Sequence, residues 1–122
     1  MITPKKVVML NAIANVASTS AIVGISAPQN ISIQFIASAV TTGGGAFVIK
    51  VSNDNVNWVT YSRLTANVTN TNSQTDTRTG GPTMGANTSS IFFVPREDSF
   101  SFMRCELTPG TDGVYSAVAF FN

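Results

Sequence analysis

The groups most able to do chemistry in this sequence are six carboxylates and a single thiol, and there is no histidine. General acid–base work near neutral pH uses His or a carboxylate with a shifted pKa. The acids Asp54, Asp76, Glu97, Asp98, Glu106 and Asp112 are scattered singly or at turns. Only Glu97 and Asp98 are neighbours, and a turn between two strands explains them better than the paired carboxyls of a glycosidase. Asn53, Asp54 and Asn55 bring three side-chain oxygens to one turn. A tight calcium site needs several carboxylates, and the EF-hand spacing is missing. An Asx-type hairpin turn is the expectation there. Cys105 has no base to activate it. It lies in the alternating run FSFMRCEL, so a small buried hydrophobe is expected. With one Cys and no His, neither a disulfide within the chain nor a Cys/His zinc site can be built. The run Gly43-Gly44-Gly45 is followed by no helix or Lys in the register of a phosphate loop. The expectation is no catalysis, no metal and no cofactor.

Charge narrows the partners. Net charge is +1, and the cations Lys5, Lys6, Lys50, Arg63, Arg78, Arg96 and Arg104 include one adjacent pair. A nucleic-acid surface needs several clustered Lys or Arg to displace counterions. Lys5 and Lys6 read instead as a solvated N-terminal end, and no nucleic acid is expected. Charged residues make up 11% of the sequence, under half the roughly 25% of ordinary soluble domains. Ser, Thr, Asn, Ala, Gly and Val take their place. Such a surface gives little colloidal repulsion and suits life inside an assembly.

The sequence around Lys5-Lys6 and VVMLNAIANVAS loosely imitates a signal peptide, but Asn11 and Asn15 interrupt its apolar stretch. The N-terminus is expected to be retained, with no signal peptide removed. No run approaches the ~18 apolar residues of a membrane span. The sequons at Asn30, Asn67 and Asn87 are a chance expectation in a chain so rich in Asn, Ser and Thr.

The elements that position these groups are strands. Period-two alternation dominates and is carried by β-branched and aromatic residues. In NISIQFIASA, Ile31, Ile33, Phe35 and Ala37 face one way, with Ser32, Gln34 and Ser38 opposite. AFVIKVS, VNWVTYSRL, SSIFFVP, SFSFMRCEL and GVYSAVAFF follow, and KVVMLNA and SAIVGIS precede. Turn signals stand at Pro28 to Asn30, Gly43 to Gly45, Asn53 to Asn55, Pro95 to Asp98, and Pro109 to Gly113. The glycines of TTGGG are expected to supply positive φ in a tight turn between two strands. NAIANVAS offers at most one helical turn. The whole length, 1–122, reads as a single all-β domain, an antiparallel β-sandwich of about eight strands, jelly-roll or immunoglobulin-like. Residues 65–90 form a long polar loop, too polar to bury and too long for a routine connection. That loop, with Arg78 and Met84, and an N-terminal arm over 1–6, with Lys5 and Lys6, are the expected contact elements. Both would gain order against a neighbour.

Trp58 and Tyr61 are the aromatics most suited to stacking on a sugar. Their odd separation places them on opposite faces of a regular strand, so they make no common platform. Trp58 shares its phase with Val56 and Thr60 and is expected in the core.

The stretch KVSNDNVNWVTYSRL also carries a resemblance. Ser52-Asn53-Asp54-Asn55-Val56-Asn57-Trp58 resembles the S-x-D-G-x-N-W hairpin of small tailed-phage virion structural proteins. The opening KVVMLNAIANVASTSAIVGISAPQNISIQF and the closing FVPREDSFSFMRCELTPGTDGVYSAVAF look like the flanks of that family. In the latter, Phe100 and Arg104 fall on an F-x-x-x-R strand behind a Pro-containing corner. Asn55 stands where the pattern has Gly, which bears on the turn type. The resemblance implies a non-enzymatic virion protein: capsid decoration, head fibre or tail accessory. Implied partners are further copies of itself, in a homo-oligomer such as a trimer, and virion proteins such as the major capsid protein. A carbohydrate- or receptor-binding module of a fibre is the alternative. A small shell-forming coat protein is a weaker one, because a basic inner arm is missing.

Overall fold

Alternation builds the sheets where it is cleanest. The computed structural model describes residues 4–25, 29–66, 77–78, 80–84 and 87–122. Strands β4 (Ile31–Ser38) and β5 (Ala46–Ser52) bury every second side chain, as do β10 (Phe102–Thr108) and β11 (Val114–Phe121). Around them lie β1 (Lys5–Ala14), β2 (Ser18–Thr19), β3 (Val23–Gly24), β6 (Val59–Thr60), β7 (Leu64–Ala66), β8 (Thr77–Arg78) and β9 (Thr88–Val94). Among the described residues there is no helix.

The strands form two antiparallel sheets. One has the order β1-β11-β4-β9-β7-β8, and the other β2-β10-β5-β6, with β3 beside β10 on the same edge as β2. This order settles the choice between sandwiches. Four antiparallel pairs, β1 with β11, β2/β3 with β10, β4 with β9 and β5 with β6, are the rungs of one long folded hairpin. Wrapping that hairpin around a core places β11 beside β4 in one sheet and β10 beside β5 in the other. That is a jelly roll. The expected eight strands are its eight winding positions, one of them divided into β2 and β3, with the β7–β8 hairpin added.

The core lies between the sheets. Phe35 of β4 meets Phe47 of β5 at 4.8 Å and Phe92 of β9 at 5.8 Å between ring centroids, and Phe47 meets Tyr115 of β11 at 6.0 Å. Cys105 is fully buried, as alternation predicts.

Several expectations fail for identifiable reasons. Of the expected arm over 1–6, residues 1–3 lie outside the described residues, and Lys5 and Lys6 open β1 opposite Phe121 and Phe120. NAIA continues β1 instead of turning into a helix, through two register shifts that absorb Ala12 at φ 49°. The segment 39–45 makes no hairpin, since β4 and β5 lie in different sheets. Positive φ there falls on Ala39 at 56°. Small size matters more at Gly45, where a Cβ would stand 2.7 Å from the Thr108 carbonyl oxygen. The stretch 65–90 is not one loop. Its ends are strands, and residues 80–84 run along β5, accepting from Phe47 N–H through Pro82 O and from Ile49 N–H through Gly80 O. Met84 is 2% exposed and belongs to the core, so it is no contact residue. Arg78 lies in β8 opposite Leu64. Its side chain, and residues 67–76 of the expected contact loop, lie outside the described residues.

Candidate functional site

The jelly roll brings the 53–58 hairpin and the 95–101 connection to one end of the sandwich. β5 ends in Ser52, whose buried hydroxyl accepts from the N–H of Asn55 at 3.0 Å and of Asp54 at 3.3 Å. The same hydroxyl donates to Asp54 Oδ1 at 2.9 Å. Asp54 Oδ1 also accepts from Val56 N–H at 2.9 Å and Asn57 N–H at 2.8 Å, and Oδ2 accepts from Asn57 Nδ2 at 2.7 Å. These donors, the backbone N–H groups of Asn57 and Val56 first, hold the Asp54 carboxyl far below the usual carboxylate range. Asn55 sits at φ 61°, the left-handed conformation that Gly takes most easily and Asn better than most. The Asx-type turn predicted from the residues is therefore present. Ser52, Asp54 and Asn57 are used to close it. Asn53 points elsewhere, its Oδ1 accepting from Ser101 N–H at 3.0 Å and so tying the hairpin to the neighbouring loop. Among the described residues no three His, Cys, Asp or Glu side chains converge as a metal site would require.

Trp58 corrects its expected place. It is half-buried on the outer face of the five-stranded sheet, where the Arg104 guanidinium lies 4.4 Å from its ring centroid. Arg104 is held in turn by Glu106 at 3.0 Å. The phase argument fails because the return strand is only Val59–Thr60, so alternation does not run back through the turn to Val56, which is 76% exposed. Tyr61 is the core aromatic of this segment at 6% exposure. The two rings still share no platform.

Beside the hairpin lies an open groove of about 660 Å³ lined by Asp54, Asn57, Tyr61, Glu97, Asp98 and Phe100, among others. At its floor Tyr61 Oη donates to Asp98 Oδ2 at 2.5 Å, and Phe100 packs on the Tyr61 ring at 5.7 Å. Arg63 bridges Asp98 at 3.0 Å and Glu97 at 3.3 Å. Burial, then the Asp98 carboxylate, pushes the Tyr61 phenol well above its usual range. Glu97 lies on the expected turn, where Asp98 N–H donates to Pro95 O at 3.0 Å. The cluster Tyr61–Arg63–Glu97–Asp98 was not foreseeable from spacing, because more than thirty residues separate its halves. Asp98 is thus engaged by both Arg63 and the Tyr61 phenol, and Glu97 by Arg63.

The opposite end is held by Asp112. Its carboxylate accepts from the Thr41 hydroxyl and from the N–H groups of Thr41, Thr42 and Gly43, which lower its pKa. Tyr115, fully buried, accepts from Gly45 N–H at 2.6 Å and donates to Asp112 O at 2.5 Å. Both ends thus spend their polar side chains on fixing loops.

The fold is shared with the SPBc2 prophage-derived protein YomS, with a TM-score of 0.63 over 100% of this chain and 97% of that one, at 13% identity. No protein-family model and no curated protein sequence matches the chain.

Proposed function

We propose that this chain is a non-enzymatic structural protein of a bacteriophage particle, a capsid decoration subunit that binds the assembled shell as a homo-oligomer. The observation that carries the reading is the jelly roll shared end to end with a prophage-derived protein. The virion hairpin resemblance supports it, and Asn55 holds the left-handed conformation at the position where that pattern has Gly. Low charge and loops closed by their own side chains suit a rigid repeated subunit. Lys5 and Lys6 are built into β1 and Met84 into the core, and the contact with the shell is assigned to the 53–58 hairpin, where Val56 stands exposed. The carbohydrate reading retains only Trp58, and Arg104 already covers one side of that ring.

The test is co-sedimentation of the purified protein with shells of the encoding phage that lack it. Saturable binding at a fixed number of copies per shell, weakened by Val56→Asp, is expected. Protein that stays in the supernatant at all concentrations would overturn the proposal.

A further inference from the structure

The two outer faces of the sandwich differ in kind. The face of the five-stranded sheet carries Lys50, Arg104 and Glu106 beside Trp58. The outer face of the six-stranded sheet carries no acid or base on the inner strands β11, β4 and β9, which adjoin one another. Register places its side chains in rows. Phe120, Ser32 and Phe93 lie abreast, then Val118, Gln34 and Ile91, then Ser116, Ile36 and Ser89. On the edge strand β1, Val8 extends the middle row and Lys6 ends the first row beside Phe120, so the one described charge of this face lies at its corner. Phe120 at 43%, Phe93 at 41% and Val8 at 49% are three of the seven exposed large apolar side chains among the described residues.

We infer that this face packs against the same face of a second copy, around a two-fold axis passing near Gln34. Charge argues for self-association. A basic or acidic partner would meet no opposite charge on these inner strands, whereas two copies bring no like charges together there. The Ser hydroxyls and the Gln34 amide each both donate and accept, so they can pair with their own symmetry mates. Size agrees. Four strands at about 4.8 Å spacing, with eight residues each at about 3.3 Å, present roughly 500 Å² in projection. The corrugated accessible area is then of the order of the ~800 Å² per partner of a standard interface. The edge of the sheet is a poor alternative, because β1 begins with Lys5 and Lys6 and carries two register shifts, features that block edge-to-edge pairing. A flat face packs on one copy of itself, so this inference replaces the trimer with a pair. It deepens the virion reading by naming the self-contact.

Light scattering on the full chain tests it. Wild type is expected at twice the chain mass. Gln34→Glu, nearly isosteric, sets two carboxylates against each other, and Phe93→Lys does the same with cations. Each is expected to raise the dissociation constant at least about 100-fold, with the far-UV CD spectrum unchanged. Val59→Lys, on the other sheet, is expected to leave the dimer intact. A monomeric or trimeric wild type, dimers that survive both face variants, or loss of the dimer in Val59→Lys would overturn the inference. A monomer that still co-sediments with shells would sink this contact alone and leave the virion role standing. A dimer absent from shells would do the reverse.

Discussion

Asp54 receives four hydrogen bonds from its own hairpin, and Asp112 is gripped by the 41–43 backbone at the far end. Both folded-state pKa values lie below the ordinary ~3.9. Their stabilisation is therefore complete above that value and is lost as pH falls through the folded values. Urea midpoints should be flat from pH 7 to pH 5 and should fall below about pH 4. Asp54→Ala should lower the midpoint at pH 7 and make the acid decline shallower; an unchanged slope would show that this carboxylate is not so held. Cys105 makes the opposite case. Burial pushes its thiol to about 12, and its backbone N–H and C=O are both bonded to Ser20. It should resist a thiol reagent in the folded protein and react stoichiometrically in denaturant. Both residues were legible in the sequence, because a short-range turn and an alternating strand are local matters. Trp58 was not, since its environment is set by Arg104, forty-six positions away.

At the scale of elements, loops are fixed by shape as much as by bonding. Asn55 at φ 61° should tolerate Gly with little change, whereas Asn55→Val should cost about 1–2 kcal/mol by forcing a β-branched residue into the left-handed region. Gly113 is the stricter position. It lies at φ 120°, and a Cβ there would stand 2.5 Å from Tyr115 Oη and 2.8 Å from Val40 Cγ2. Gly113→Ala should cost at least about 1–3 kcal/mol from the backbone alone, and thermal melting would measure it. Tyr115→Phe leaves Gly45 N–H buried without its acceptor and should cost about 1–3 kcal/mol. The four long alternating strands β4, β5, β10 and β11 were readable residue by residue. Of the two-residue strands, β3 and β6 fall inside runs that read as longer strands, SAIVGIS and VNWVTYSRL, whereas β2 and β8 were not readable, because a pair of residues has no period. Nor was the sheet crossing at 39–45, where a glycine run that reads as a hairpin turn serves close approach between loops instead. The pairing of β1 with β11 joins opposite ends of the sequence, and no local signal records such a contact.

For the whole molecule, one sheet carries no ion on the outer face of β11, β4 and β9, the other carries Lys50, Arg104 and Glu106, and the loops at both ends are held by their own side chains. That division of surface suits a rigid building unit better than a catalyst. A jelly roll, as a fold, hosts many unrelated functions. The functional reading therefore rests on its combination with the hairpin resemblance and the likeness to a prophage-derived protein. Alternation predicted a sandwich, and only the strand order distinguished its winding. The central claim is that this chain is a component of the particle. Quantitative mass spectrometry of gradient-purified virions from the encoding phage tests that most directly. The account predicts a fixed, multiple copy number that co-purifies with the major shell protein through repeated gradients. Abundant chain in the lysate with none in the particles would contradict it.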